Sequence, residues 1–220
     1  MPKKFGKHIL IWGTFCEYMD PVSVLDYRYG TEKMRSVFRA NSYLKFLLEV
    51  EATLAEVQEE MDIIPKGAGS AIRDGLKNVK RERVEEIEKS INHDIMAVVK
   101  ALEEKTGDYG KWIHFGATSY DIVDTARALQ HSIAINLIEK ALGKLITALS
   151  NLAKKHKNTV MLGRTHGQWA TPITFGLKIA VFLAEMKRHS ERLSEIKPRI
   201  ITGKFLGAVG SGAAMKPHTL

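Results

Sequence analysis

Apolar residues recur at three- and four-residue steps along most of this chain, with Glu and Lys between them, the pattern of helices that bury one face. Leu44, Leu47, Leu48, Leu54, Val57 and Met61 predict a helix from Thr31 to about Met61, closed by Pro65 and the Gly67-Ala-Gly69 stretch. Val84, Ile87, Ile91, Ile95, Val98 and Leu102 predict a second from about Arg81 to Lys105, with Gly107 as its stop. A third begins near Asp121 and keeps its apolar spacing through Leu129, Ile133, Leu137, Leu142, Leu145, Leu149 and Leu152 without a proline. That length exceeds the ordinary globular range and points to a bundle or coiled-coil-like assembly. A fourth is predicted to begin at Thr171-Pro172, where proline suits a first helical turn, and to run to about Lys197, stopped by Pro198. Residues 1–30 read as irregular, and the glycine-rich run from Gly203 to Ala214 reads as flexible. No segment sustains period-two alternation, so the predicted fold class is all-α. The expected organisation is a smaller N-terminal helical domain, 1–112, ahead of an incomplete long-helix bundle, 113–220.

Two polar, glycine-bearing segments interrupt this helical pattern: His114-Phe-Gly-Ala-Thr-Ser-Tyr-Asp-Ile-Val-Asp-Thr-Ala126 and Gly163-Arg-Thr-His-Gly-Gln-Trp-Ala-Thr-Pro-Ile-Thr-Phe-Gly176. Each reads as hydroxyls and a histidine on a short loop just ahead of a helix, where free N–H groups and the positive end of the dipole favour anions. In the second, His166 stands among Arg164, Thr165 and Gln168. Histidine titrates nearest neutral pH, so it suits proton transfer, and the density of donors favours that over a loop histidine bonded to backbone. Thr118 and Ser119 read equally well as helix caps or as a carboxylate cradle, with Asp121 as a further capping acceptor. Asn92, His93 and Asp94 are mediocre helix formers placed mid-helix, which calls for either a buried polar contact or a substrate contact. Arg28 beside Tyr29 reads as surface packing or as a phosphate clamp, since a guanidinium matches phosphate oxygens in pairs.

Composition narrows the class. Hydrophobic residues make up 45% and charged residues 26% of the 220, a balance suited to a folded soluble protein. No apolar stretch approaches the roughly 20 residues that span a bilayer, and Met1-Pro-Lys-Lys-Phe-Gly-Lys-His leads into no signal-peptide core, so a cytoplasmic location is expected. The net charge of +8 is spread along helices and interleaved with Glu, as in Lys80-Arg-Glu-Arg-Val-Glu-Glu-Ile-Glu-Lys89, which reads as a solvated face and not as a nucleic-acid stripe. Cys16 is the single cysteine, so no disulfide framework or cysteine metal site is expected. No metal-ligand spacing and no phosphate-binding Gly-x-x-x-x-Gly-Lys loop occur, so no cofactor is called for.

Taken in order, Tyr27-Arg-Tyr-Gly30, Asn92-His-Asp94, Gly116-Ala-Thr-Ser-Tyr-Asp-Ile-Val-Asp-Thr-Ala126, Gly163-Arg-Thr-His-Gly-Gln168 and Thr171-Pro-Ile-Thr-Phe-Gly176 resemble the fumarase/aspartase superfamily, and within it the adenylosuccinate lyase branch. The resemblance spans nearly the whole chain. It implies a truncated long-helix bundle of that type and a β-elimination that splits adenylosuccinate into AMP and fumarate. The related imidazole-carboxamide succinyl nucleotide (SAICAR, giving AICAR) would be handled likewise. His166 then matches the general acid, with His93 assisting it. Thr118 and Ser119 match the groups holding the succinyl carboxylates, Arg28 and Tyr29 the nucleotide end, and Asn92, His93 and Asp94 a substrate-binding stretch. Thr165 and Gln168 would position substrate near His166. The family pattern also implies a homotetramer with sites shared among subunits, and a catalytic serine on a Ser-Ser-x-Met-Pro-x-Lys-x-Asn-Pro-type loop. That signature is absent from these residues; Met215-Lys-Pro-His218 is not it. The chain is therefore expected to resemble the front half of such an enzyme and to be inactive alone. A sister lyase of the carboxymuconate cycloisomerase kind, or a non-catalytic helical assembly fragment, are the competing readings.

Overall fold

The computed structural model describes residues 28–215. Expectations placed on Cys16, Pro21, Tyr27 and the 216–220 end lie outside the described residues. The chain forms two compact units, one of the described residues up to Gln130 together with 203–215, the other His131–Thr202. This division by compactness falls inside the longest helix, whereas the sequence reading set its limit near residue 112.

In the first unit, α1 (Glu32–Val37) and α2 (Ala40–Glu60) replace the single helix expected from Thr31 to Met61. Thr31 caps α1 by accepting the Met34 N–H at 3.2 Å. The break at Phe38-Arg39 has a local cause: the Ser36 hydroxyl bonds back to the Lys33 carbonyl at 2.8 Å, and the Ser36 carbonyl is taken by the Ser42 hydroxyl at 2.6 Å. Such side-chain bonds compete with the helical ladder. α3 (Ala68–Gly75) occupies a stretch read as helix-ending glycines. Its start is capped from a distance, because the Glu59 carboxylate accepts the N–H groups of Gly67 at 2.8 Å and Gly69 at 2.6 Å. Gly69 is present for closeness: a Cβ there would lie 2.8 Å from the Glu56 Cα. Arg73 of α3 ties the same pair together through Glu56 and Glu49 of α2.

The second predicted helix also divides, into α4 (Arg81–Ile91) and α5 (Asp94–Glu103). Short 3₁₀ turns at Leu76–Asn78 and Gly107–Trp112 join the neighbours. The core lies among α2, α3, α4, α5 and the first turns of α6 (Ser119–Lys155), with Ile72, Leu102 and Ile122 fully enclosed. Each such side chain contributes about 1.5–3 kcal/mol relative to exposure. The segment read as flexible is instead folded into this unit. Lys204 exchanges hydrogen bonds with the Thr125 hydroxyl through its N–H (3.0 Å) and carbonyl (3.3 Å), and Met215 is buried in the core.

The second unit carries the rest of α6, a hairpin of β1 (Val160–Thr165) and β2 (Gln168–Thr174), and α7 (Phe175–Ile200). The hairpin corrects the helix start expected at Thr171-Pro172: Pro172 pairs with Leu162 across the antiparallel ladder, and Thr174 caps α7 by accepting the Leu177 N–H at 3.1 Å. A two-stranded ribbon has outward-facing N–H positions that a proline can occupy. At the other end α7 passes through Pro198 to Ile200, so that proline sits in the last turn and does not stop the helix. Lys197 joins α7 to α6 through Glu139 at 2.8 Å and Asn136 at 3.0 Å. The overall class is therefore all-α with one small hairpin, as the apolar spacing required.

Candidate active site

The start of α6 shows how the polar loop 114–119 is held. Asp121 is wholly buried, and its carboxylate accepts the Thr118 N–H at 3.0 Å, reaching back over the helix end. The same carboxylate accepts the Lys204 ammonium at 3.0 Å, the Leu206 N–H at 3.1 Å and the Gly207 N–H at 3.1 Å. Capping is thus done by Asp121, and among the described residues the hydroxyls of Thr118 and Ser119 make no hydrogen bond of their own. Both side chains are half-buried. They remain available to an acceptor such as a carboxylate.

Asn92, His93 and Asp94 form the corner between α4 and α5, not the middle of one helix. Asn92 takes a left-handed conformation (φ 52°) that asparagine tolerates, and its N–H reaches the Glu88 carbonyl at 2.8 Å. His93 caps α5, its Nδ1 accepting the Met96 N–H at 3.3 Å, and Asp94 accepts the Ile95 N–H at 2.8 Å. All three side chains are exposed, so they are not buried against another helix. Tyr43 of α2, not singled out in the sequence, links this corner to α6. Burial raises its hydroxyl pKa above the usual value, Arg127 opposes that, and the charges of Asp94 and Asp124 reinforce it. Arg28 and Tyr29 lie exposed in the turn before α1, whose carbonyls at Tyr29 and Gly30 accept from Arg35 at 3.3 and 3.2 Å.

In the second unit His166 sits at the tip of the β1–β2 hairpin, not on a loop directly preceding a helix. Thr165 pairs with Gln168 across a two-residue turn in which His166 (φ 51°) and Gly167 (φ 73°) are both left-handed, the turn geometry whose twist suits a hairpin. Left-handed backbone at a residue other than glycine is uncommon and often marks a functional position. Arg164, Thr165, His166 and Gln168 all stand in solvent along this one hairpin. At Gly163 the strands approach so closely that a Cβ would meet the Thr171 carbonyl at 2.8 Å. Two further residues of the first unit escaped the sequence reading. Glu51 is wholly buried with its Oε1 2.7 Å from Nδ1 of His114, and Lys204 is the cation on Asp121. An acid on the apolar face of a helix, as Glu51 is on α2, was the available signal. Among the described residues no cluster of three or more His, Cys, Asp or Glu side chains is arranged to hold a metal ion, and no helix is long and apolar enough to cross a membrane.

The described residues are helical apart from one hairpin, which carries His166 at its tip, and the Thr118–Ser119 hydroxyl pair lies at the head of α6. A family model described as lyase matches residues 26–219, and the chain belongs to that family. It is similar to the adenylosuccinate lyase of Pyrococcus abyssi, with 50% identity over 195 residues, covering 88% of this chain and 43% of that protein. The adenylosuccinate lyase of Methanocaldococcus jannaschii is 49% identical over 197 residues, with the same coverage. Among solved structures, the fumarate lyase of Mesorhizobium sp. BNC1 matches with TM-score 0.79 and 37% identity, over 87% of this chain and 47% of that one. The 3-carboxy-cis,cis-muconate lactonizing enzyme of Pseudomonas putida matches with TM-score 0.80 and 35% identity, over 89% and 46%. The chain thus spans less than half the length of the relatives it matches.

Proposed function

We propose that this chain is part of an adenylosuccinate lyase, cleaving adenylosuccinate to AMP and fumarate, and SAICAR to AICAR and fumarate, by β-elimination. The observation that carries the reading is the pair of unengaged hydroxyls at Thr118 and Ser119, left open because the buried Asp121 carboxylate does the capping. In this reading they hold a succinyl carboxylate. A base removes the proton beside that carboxylate, the carbanion is stabilised by the donors around it, and His166 protonates the departing nitrogen. Its exposed place at a hairpin tip supports that role, since the ring is not committed to a partner within its own unit. His93 assists. Arg28 and Tyr29 bind the nucleotide end, Asn92, His93 and Asp94 contact substrate, and Thr165 and Gln168 position it. The catalytic serine signature does not occur in these 220 residues, so by themselves they turn over no substrate.

The working enzyme in this reading is a cytoplasmic homotetramer that binds a small nucleotide and needs no cofactor, nucleic acid or membrane. Support for assembly comes from the second unit, where Leu177 and Val181, one turn apart on α7, and neighbouring Phe182 are exposed; apolar surface left uncovered along a helix favours association. A sister lyase acting on carboxymuconate is the second reading, favoured by the structural match to the Pseudomonas putida enzyme.

Amide NMR on the chain separates the two. Adenylosuccinate and AMP are expected to shift the Thr118 and Ser119 amides, with the AMP response lost in Arg28→Ala. A response to 3-carboxymuconate with none to either nucleotide would sink the adenylosuccinate assignment. Fumarate release by the chain alone, abolished by His166→Ala, would overturn the claim that it is inactive.

A further inference from the structure

A buried acid–imidazole contact lies at the entrance to the loop that carries Thr118 and Ser119. Glu51 of α2 is wholly enclosed, and its Oε1 is 2.7 Å from Nδ1 of His114, whose side chain is 13% exposed. Further along α2, Gln58 donates from Nε2 to the Phe115 carbonyl at 2.8 Å. One rigid helix therefore grips two consecutive loop residues. The grip falls at an unusual backbone: His114 is left-handed, with φ 62°, and its carbonyl closes a turn by accepting the Ala117 N–H at 3.1 Å. A histidine held there needs an external interaction to fix it. At the other end of the loop Thr118 is fixed by Asp121. Phe115, Gly116 and Ala117 alone separate the two anchors, so a backbone change at His114 has a short path to Thr118.

The groups facing the His114 ring can be named from each element. Glu51 comes from α2 and Asp121 from α6, and Asp121 is itself paired with Lys204 of the 203–215 segment. Burial opposes a charge on the ring, but the Glu51 hydrogen bond and charge, with that of Asp121, outweigh it and favour the imidazolium. The second Glu51 oxygen, Oε2, is buried without a partner. The acid thus has the imidazole as its one hydrogen-bonded neighbour in the described structure.

We propose that Glu51 is a positioning residue: through an ion pair with His114 it holds the left-handed turn that sets where Thr118 and Ser119 present their hydroxyls, so loss of the His114 proton relaxes that presentation. The inference rests on the lyase reading for what those hydroxyls bind. Its test uses no substrate, so either reading can fail without the other.

The experiment follows the histidine ring nitrogens and the backbone amides of the intact chain by NMR from pH 5.5 to 9. The His114 ring is expected to lose its proton above the ordinary histidine range, and the Thr118 and Ser119 amides to shift with the same midpoint. In Glu51→Gln that midpoint moves down. In His114→Gln the shared transition at Thr118 and Ser119 disappears, an effect that a merely space-filling role would not produce. If Glu51→Gln fails to fold, the wild-type and His114→Gln titrations still decide the matter. Amides of Thr118 and Ser119 that stay still through the His114 titration, or that titrate unchanged in His114→Gln, would overturn the proposal.

Discussion

The carboxylate of Asp121 accepts the ammonium of Lys204 at 3.0 Å although 83 positions separate them in sequence. This one contact joins the head of α6 to the glycine-rich segment after α7, and the N–H groups of Leu206 and Gly207 complete the binding on the same oxygens. A buried carboxylate with a cation and several N–H donors has both its charge and its lone pairs satisfied, and loss of the cation leaves only the second.

Replacing Asp121 by Ala should therefore cost about 3–5 kcal/mol, the penalty for breaking a buried charged contact by deleting one partner. Lys204→Met should cost toward the lower end of that range, because the wholly buried carboxylate loses its cation but keeps its backbone donors. Urea unfolding of the two variants measures both. Equal losses would show that the backbone donors contribute nothing beyond the ion pair.

The His114–Glu51 contact makes stability depend on pH near neutrality. The folded-state pKa of His114 is raised, because Glu51 and Asp121 outweigh burial. Its contribution is present in full below the unfolded histidine value of about 6.5 and is lost as pH rises through the folded value. Unfolding free energies at pH 6 and pH 8.5 should fall more for the wild type than for His114→Gln. Parallel pH dependences in the two proteins would refute the linkage.

Gly69→Ala tests close packing. The added Cβ would meet the Glu56 Cα at 2.8 Å and the Glu59 carboxylate at 2.9 Å, so α2 and α3 must separate. The expected cost is about 1–3 kcal/mol, the range for overpacking a tight contact, despite the better helix propensity of alanine. A variant as stable as wild type would mean the helices part freely.

His166→Asn distinguishes chemistry from turn geometry. Asparagine tolerates the left-handed conformation that His166 adopts (φ 51°), so the hairpin and the melting temperature should be preserved. On the proposed general-acid role, adenylosuccinate cleavage by a full-length enzyme carrying this change should fall about 100-fold or more. Retained turnover would remove His166 from the acid role.

Much of this was legible in the chain. The apolar stripes located the long helices α2 and α6, because burial of one face needs a 3.6-residue period whatever the helix packs on. By contrast, α7 was bounded from Pro172 and Pro198, which the fold places in a strand and inside the last turn. Glycine misled where its reason was tertiary: the Gly67–Gly69 stretch read as a stop, yet Gly69 begins a helix that must approach α2 closely. The helix breaks near Phe38 and at Asn92 were missed because an apolar stripe continues across them, while the interruption is a local hydrogen-bond choice. The hairpin was missed because the strands are short and mostly solvent-exposed, and lack alternation.

The sequence by itself determined the all-α class, the length of α6 and the positions of the polar clusters that include Thr118, Ser119 and His166, since local periodicity and residue type are properties of neighbours along the chain. Only the tertiary structure decided that Asp121, and not a hydroxyl, caps α6, that Lys204 and the segment beyond it return to that cap, and that Glu51 grips His114. The first is a choice among local acceptors, while the other two join positions 83 and 63 residues apart. A buried carboxylate takes whichever cation and N–H groups the fold brings to it.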